Sequence, residues 1–343
     1  MAKKREFLQL CQTYDAKRHR PNNMMASEKL DGMRFFWDGG ISRGLPSEAV
    51  PWANTEKDVR SFVATGLWSR LGKIVHAPSD WLDQLPAMPL DGEGWTMRDD
   101  HQNLMHQVKG HSPAFEDVKF MIFNSPPLKT IFADGHVRFG ASYVKKFIGC
   151  YEWAMKRIAL PYLYFPPITT FDATYDNLKA LVLPSNCVLM DQVVCVDQEA
   201  LDLLLEGITT AGGEGIVLHS RYSYYACERS WDSLKVKKLQ DAEATVIGYT
   251  WGVEGKEGKL LGLMGSVLLN WNGVIFSISG FNESERCMSY IDGRSAFTHG
   301  ACHFGERVQG GIVNHRFPIG SEVRFQYRGK TTDGKPVEAR YFR

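Results

Sequence analysis

One stretch constrains this chain more than any other: Ser27-Glu28-Lys29-Leu30-Asp31-Gly32-Met33-Arg34. A lysine, an acid, a glycine and an arginine stand there in the order K-x-D-G-x-R. The apolar run Phe35-Phe36-Trp37 follows and reads as a strand. Asp38-Gly39-Gly40 then supplies a tight turn, and Ile41-Ser42-Arg43 opens a return strand, because turn glycines between apolar runs signal a hairpin. This reading places Lys29 and Arg34 where a loop enters the hairpin.

These residue types suit phosphate chemistry. A free lysine amine has a pKa of about 10.4, so roughly one in a thousand is neutral at physiological pH. A nearby fixed cation such as Arg34, or a bound metal, favours the neutral, nucleophilic form. Asp31 can orient the amine or assist a metal, Gly32 lets backbone approach a ligand closely, and Arg34 can hold a phosphate or ribose oxygen with its planar fork.

Further patterns follow along the chain. Residues 98–115 are polar and His-rich and read as a loop over the site. In Leu90-Asp91-Gly92-Glu93-Gly94-Trp95, strand geometry turns Asp91 and Glu93 to one face, where paired carboxylates suit a divalent metal or a ribose hydroxyl. Val118 to Phe123 reads as a buried strand. Apolar residues at 144, 147, 148, 151, 154, 155 and 158 have the spacing of an amphipathic helix. Cys187 to Val196 reads as one strand, and Glu199 to Ile208 as a helix stopped by Gly212 and Gly213. Glu214 lies between glycines and opens an apolar strand. In Ser233-Leu234-Lys235-Val236-Lys237, strand geometry gives Lys235 and Lys237 a common face, which suits a triphosphate.

The texture changes after Leu239. Five short strands with glycine turns in about one hundred residues predict a small barrel of the OB type. They are Ala244 to Tyr249, Leu261 to Asn270, Val274 to Phe281, Glu322 to Tyr327 and Val337 to Phe342, with a short helix at Ser284 to Ile291. Composition matters here because the net charge is only +1, with 40 Lys+Arg against 39 Asp+Glu. A nucleic-acid binder of this balance must gather its cations on one face. Arg316, Arg324, Arg328, Lys330, Lys335, Arg340 and Arg343 form one such concentration, and Lys3, Lys4, Arg5, Lys17, Arg18 and Arg20 another. The 7 cysteines are odd in number and make no Cys-x-x-Cys pair, which argues for reduced thiols and against a disulfide framework or a structural zinc site. No apolar run approaches a membrane span.

The lysine motif resembles the active-site motif of the covalent nucleotidyltransferases, namely DNA ligases, RNA ligases and mRNA capping enzymes. Ser42-Arg43-Gly44, Asp91-Gly92-Glu93, Glu214-Gly215-Ile216-Val217 and Lys235-x-Lys237 follow in that superfamily's order. The resemblance covers essentially the whole chain and is closest to the small two-domain ATP-dependent DNA ligases of T-odd bacteriophages. It implies an α+β fold: an adenylation domain of antiparallel sheets with flanking helices over residues 1–239, then an OB-fold domain over 240–343. A hinge near 238–242 would let the barrel close over DNA, and no extra DNA-binding domain is expected before Lys29.

The resemblance also assigns roles. Lys29 becomes the nucleophile. Glu28, Leu30 and an aromatic, Phe123 or Phe120, bind the adenosine, with Phe123 preferred. Arg34 and Glu93 take the ribose or nearby phosphates and Arg43 the phosphate end. Lys235 and Lys237 take the α-phosphate and the leaving group, and Glu214 and Glu93 hold the metal. ATP is the expected AMP donor and Mg²⁺ the expected ion, with Mn²⁺ able to substitute. The expected partner is nicked double-stranded DNA, bound by a monomer in a bacterial or phage-infected cytoplasm with no membrane and no obligate protein partner. An R-x-D-K motif in the barrel is not evident, which argues against a capping enzyme and leaves Arg340 or Arg343 as its stand-in.

Overall fold

The computed structural model describes residues 7–54, 63–109, 114–128, 130–131, 141–157, 169–252, 263–293, 307–308, 311–331 and 333–342. The expectations placed on Lys3, Lys4, Arg5 and Arg343 lie outside these residues. The chain divides into two compact units, Met1–Lys237 and Lys238–Arg343.

The first unit is built on two five-stranded sheets. One contains β1 (Leu10–Thr13), β2 (Met24–Lys29), β8 (Val193–Cys195), β9 (Gly215–Ser220) and β10 (Arg229–Val236), in the order β1-β10-β9-β2-β8. The other contains β3 (Met33–Asp38), β4 (Leu67–Ser69), β5 (Pro89–Trp95), β6 (Lys119–Asn124) and β7 (Cys187–Leu189), in the order β4-β3-β5-β6-β7. Both are antiparallel except for one pair each, β1 with β10 and β6 with β7. The lysine motif therefore crosses between sheets: Lys29 ends β2 in one, and Arg34 lies in β3 of the other.

The helices of this unit whose bounds are described are α1 (Ser79–Leu82), α2 (His101–Lys109), α3 (Ala141–Arg157), α4 (Phe171–Lys179) and α5 (Gln198–Thr210). Leu201 of α5 is buried with Leu218 and Leu234 against the β1–β8 sheet. Phe147 and Cys150 of α3 pack with Trp52, Trp68 and Phe36. The amphipathic spacing read from 144 onward thus falls in a helix as far as Arg157, and residue 158 lies outside the described residues. Asp197 caps α5, its carboxylate accepting the Ala200 N–H.

Three local expectations are corrected. Ile41–Arg43 is not a return strand; the β3 partners are β4 and β5. The Asp38 carboxylate accepts from the Gly40 N–H and the Ser42 hydroxyl and winds this segment into a turn. Residues 98–115 are not all loop, because Leu104 and Val108, one helical turn apart, bury the inner face of α2. Cys187–Val196 is not one strand. It breaks at Met190–Gln192, where Met190 N–H bonds Ile122 O and Gln192 N–H bonds the Tyr175 hydroxyl, and β7 and β8 join different sheets.

The second unit contains β11 (Gln240–Trp251), β12 (Met264–Trp271), β13 (Val274–Ile278), β16 (Glu322–Tyr327) and β17 (Arg340–Tyr341), in the order β13-β12-β11-β16-β17. The two edges meet: Ser279 and Arg340 form a parallel bridge, and Tyr341 N–H bonds Ser279 O at 2.8 Å. The sheet thereby closes on itself around Val246, Val267, Leu269 and Phe325, all fully buried. The strands β14 (Ser289–Tyr290) and β15 (Ile312–Val313) pair separately. Only Ser284–Arg286 of the expected barrel helix is helical, as a single 3₁₀ turn.

Candidate active site

A cleft of about 650 Å³, counting space open to solvent, lies in the first unit. Its walls come from both sheets. Ser27, Glu28 and Lys29 of β2 and Val217 of β9 face Arg34 of β3 and Glu93 of β5. Leu30 and Phe123 also line it. Phe120, the other aromatic candidate, is fully buried in the apolar core with Phe35 and Trp81. Strand alternation explains the difference, since Phe120 and Phe123 point to opposite faces of β6.

Glu214 organises the mouth of the site. Its carboxylate bonds the Lys29 ammonium through Oε2 and the Lys237 ammonium through Oε1. Burial raises the Glu214 pKa, but the two lysines outweigh it and hold the carboxyl below its ordinary value. Lys237 enters the site through this bond. Lys235 lies on the same face of β10 as Ser233, which lines the cleft, and its charge acts on the Cys11 thiol, which also lines it.

Arg34 is fixed before any ligand arrives. Its Nε donates to Asp91 Oδ1 at 2.6 Å and its Nη2 to Asp91 Oδ2 at 2.7 Å. Nη2 also donates to Gln9 O at 3.2 Å, and the guanidinium lies 4.6 Å from the Phe123 ring centre. Burial opposes its charge, yet Asp91 overcomes this and the guanidinium pKa stands above its ordinary value. Asp91 is fully buried and also accepts the Tyr225 hydroxyl at 2.7 Å. Burial, and then Asp91, push the Tyr225 hydroxyl well above its usual pKa. Among the described residues the hydrogen bonds of Arg34 are made by Nε and Nη2, and Nη1 makes none.

Glu93 behaves differently from Asp91. Among the described residues its carboxylate has no hydrogen bond or ion pair. Burial pushes its pKa up to about 7, against the pull of Arg34 and Lys29, while Glu214 pushes in the same direction as burial. Glu93 and Glu214 thus act on each other electrostatically. Among the described residues no group of three or more His, Cys, Asp or Glu could hold a metal. Two carboxylates alone would suit only an ion that takes the rest of its shell from ligand oxygens and water, as Mg²⁺ does.

One expected placement changes. Arg43 does not line the cleft. Its Nη1 pairs with Asp83 at 2.6 Å, and it lines a separate hollow with Leu82 and Trp153. Gly32 lies close against β5. A Cβ there would stand 2.4 Å from Gly94 O and 2.6 Å from Glu93 Cγ.

Several site residues were not singled out from the sequence. Arg98 grips Glu28 with two bonds, of 3.0 and 2.7 Å. Gln9 Nε2 donates to Ser233 Oγ at 3.0 Å, and Ser233 Oγ bonds His219 Nδ1 at 2.9 Å. Burial, and then Arg34, drop the His219 pKa to about 3, so its ring is neutral. Alternation along β9 could have found His219, because it shares a face with Val217. Gln9, Arg98 and Tyr225 carry no comparable local signal.

A lysine amine thus stands at the mouth of the cleft together with two carboxylates and a fixed arginine. No family model matches the sequence. On fold and sequence the chain is similar along nearly its whole length to small DNA ligases of the covalent nucleotidyltransferase superfamily. A DNA ligase of Haemophilus influenzae (strain ATCC 51907 / DSM 11121 / KW20 / Rd) is 24% identical over 322 residues, covering 92% of this chain and 85% of that protein. A solved structure from a structure–function study of Lig E DNA ligases, on DNA binding with a minimal scaffold, is 25% identical with a TM-score of 0.60, over 98% of each chain. A further structure, Pmar-Lig_PreS3, shares the fold at 17% identity and a TM-score of 0.55, over 98% of this chain and 67% of that one.

Proposed function

We propose that this protein is an ATP-dependent DNA ligase that seals 5′-phosphate/3′-hydroxyl nicks in duplex DNA. The observation that carries the reading is Lys29, set at the edge of the cleft and flanked by Glu214, Lys237 and the Arg34–Asp91 pair. In the first step Lys29 Nζ attacks the α-phosphorus of ATP; an N–P bond forms, the bond to the bridging oxygen breaks, and pyrophosphate leaves. Next an oxygen of the nick's 5′-phosphate displaces Lys29 from the AMP phosphorus. The 3′-hydroxyl then attacks the activated 5′-phosphate, and AMP departs as the phosphodiester forms.

The chain's residues divide this work by position. Phe123 and Leu30 offer apolar faces to the adenine, and Glu28 stands beside them. Arg34 presents Nη1 to the ribose or its phosphate with little loss of freedom, because Asp91 already holds it. Lys237 and Lys235 supply positive charge where the leaving group develops charge. Glu93 and Glu214 would hold Mg²⁺, which would neutralise phosphate charge during transfer. We assign adenylation to the first unit and read the closed five-stranded barrel of the second as an OB-fold that contacts DNA. Among the described residues no helix is long and apolar enough to cross a membrane.

The test is incubation with α-³²P-ATP and Mg²⁺ followed by a denaturing gel. Label should remain on the protein and be absent from Lys29→Ala. Equal labelling of both would remove Lys29 as the nucleophile.

A further inference from the structure

The turn between β1 and β2 carries Lys17, Arg18 and Arg20, all exposed. Asp15 winds it. Its carboxylate accepts the Lys17 N–H at 2.9 Å, and its carbonyl accepts the N–H groups of Arg18 at 3.0 Å and His19 at 2.8 Å. Its own N–H donates to His19 Nδ1 at 2.9 Å, which fixes the ring. His19 lies 5.3 Å from the Trp231 ring on one side and 5.7 Å from Tyr14 on the other. Trp231 is nevertheless 59% exposed.

The backbone explains why a tryptophan faces solvent here. Cys11 pairs with Ser230, but the next residue, Gln12, pairs with Leu234. Trp231, Asp232 and Ser233 are therefore skipped in the pairing with β1, although Ser233 still pairs with His219 of β9, and such a bulge re-aims side chains. Ser233 is fully buried and lines the cleft, whereas Trp231 goes outward. The exposed ring stands two residues from the cleft wall, about 7 Å along a strand.

We propose that Trp231, seated on His19 and flanked by Lys17, Arg18 and Arg20, is a docking platform for the deoxyribose–phosphate backbone of duplex DNA beside the nick. The ring packs on a deoxyribose, and the three cations take neighbouring phosphates. The charge pattern favours this occupant: in a chain of net charge +1, three cations on one six-residue turn are a local excess that suits a polyanion. Asp15, the acid within the turn, is engaged by the backbone and by Arg18. The inference rests on the ligase reading and adds a surface to it.

The experiment measures binding of a fluorescent nicked duplex to wild type, Trp231→Ala, Trp231→Phe and the combined Lys17→Ala, Arg18→Ala, Arg20→Ala variant, across a salt series. Lysyl-AMP formation is measured in parallel. Trp231→Ala should raise Kd about fivefold, the worth of roughly 40 Å² of apolar surface returned to water, and Trp231→Phe should recover most of it. The triple variant should lower the salt slope by about two to three. All variants should form lysyl-AMP at the wild-type rate. A triple variant with unchanged Kd and salt slope overturns the platform, and it decides the matter even if Trp231→Ala folds poorly, because its side chains are exposed. Wild type that forms no lysyl-AMP overturns the ligase reading itself, through a readout that involves no DNA.

Discussion

Asp91 should be the residue whose loss is felt most widely, and the structure gives the size of the effect. It is fully buried and makes two bonds to Arg34 and one to Tyr225. In Asp91→Asn one oxygen becomes an N–H₂ group, so a donor faces the guanidinium and the buried cation loses its counter-charge. Breaking a buried pair by removing one partner costs about 3–5 kcal/mol. For a unit of this size that corresponds to a fall in melting temperature of roughly 6–20 °C. Tyr225→Phe removes one buried bond and leaves the Gln9 N–H, 3.1 Å from the lost hydroxyl, without its acceptor, at about 1–3 kcal/mol.

The double variant carries the sharper test. Tyr225 and Arg34 share one carboxylate, so once Asp91 is gone the part of the Tyr225→Phe penalty that comes from the Tyr225–Asp91 bond should already be spent, and the part at the Gln9 N–H should remain. Chemical denaturation of wild type, both single variants and the double should give a coupling of about 1 kcal/mol or more. Additivity within about 0.5 kcal/mol would show that the three side chains do not act as a unit. The same variants should slow lysyl-AMP formation in the order Asp91→Asn, then Tyr225→Phe, because each loosens Arg34.

Other predictions address the chemistry and the packing. Lys29→Arg keeps the charge but not the nucleophile, and should give no labelled protein in the α-³²P-ATP assay. Glu214→Gln removes a carboxylate given to the metal as well as the counter-ion shared by Lys29 and Lys237; label incorporation should slow by about 100-fold, the equivalent of about 2.7 kcal/mol, and an unchanged rate would refute the role given to Glu214. Gly32→Ala should cost about 1–3 kcal/mol, seen as a lower melting temperature, because its Cβ meets Gly94 O at 2.4 Å. His219, lowered to about 3, binds a proton when unfolded but not when folded between about pH 6.5 and 3. Its contribution is thus present above pH 6.5 and lost as pH falls towards 3, up to about 4–5 kcal/mol. Denaturation of wild type and His219→Gln at several pH values should show the gap between them shrinking by that order on acidification, and a constant gap would refute the buried neutral ring.

Sequence reading succeeded where a side chain's chemistry and its strand position agree. Lys29, Arg34 and Glu93 stand on strands and line the cleft, and Glu214, one residue before β9, bonds Lys29 at its mouth, so motif order and alternation suffice to bring them together. It failed where a distant partner decides. Arg43 looks like a phosphate ligand, but Asp83, forty residues on, takes it away from the cleft. Ile41-Ser42-Arg43 looks like a return strand, but the buried Asp38 carboxylate bends it into a turn. In Cys187–Val196 the only local mark of the break is Asp191-Gln192 between two apolar runs, and the bonds that make the chain leave one sheet for the other come from distant Ile122 and Tyr175. Arg98 became visible only when the C-terminal end of α5 came beside Glu28, since its Nη1 bonds Ala211 O while its other nitrogens hold the glutamate.

The spacing of K-x-D-G-x-R follows from this two-sheet arrangement. Lys29 pairs across to Gly215 in one sheet, and Arg34 pairs across to Glu93 in the other. Leu30, Asp31 and Gly32 are the whole of the crossing between β2 and β3. Its length sets how far the lysine amine stands from the arginine fork, and its glycine sets how closely the crossing can lie against β5. One residue more or fewer would slip β3 against β5 and turn Arg34 to the opposite face, away from Asp91 and the cleft. The glycine and the two intervening positions are therefore gap-setting elements, and the motif is as much a statement about the distance between two sheets as about the ligand held between them.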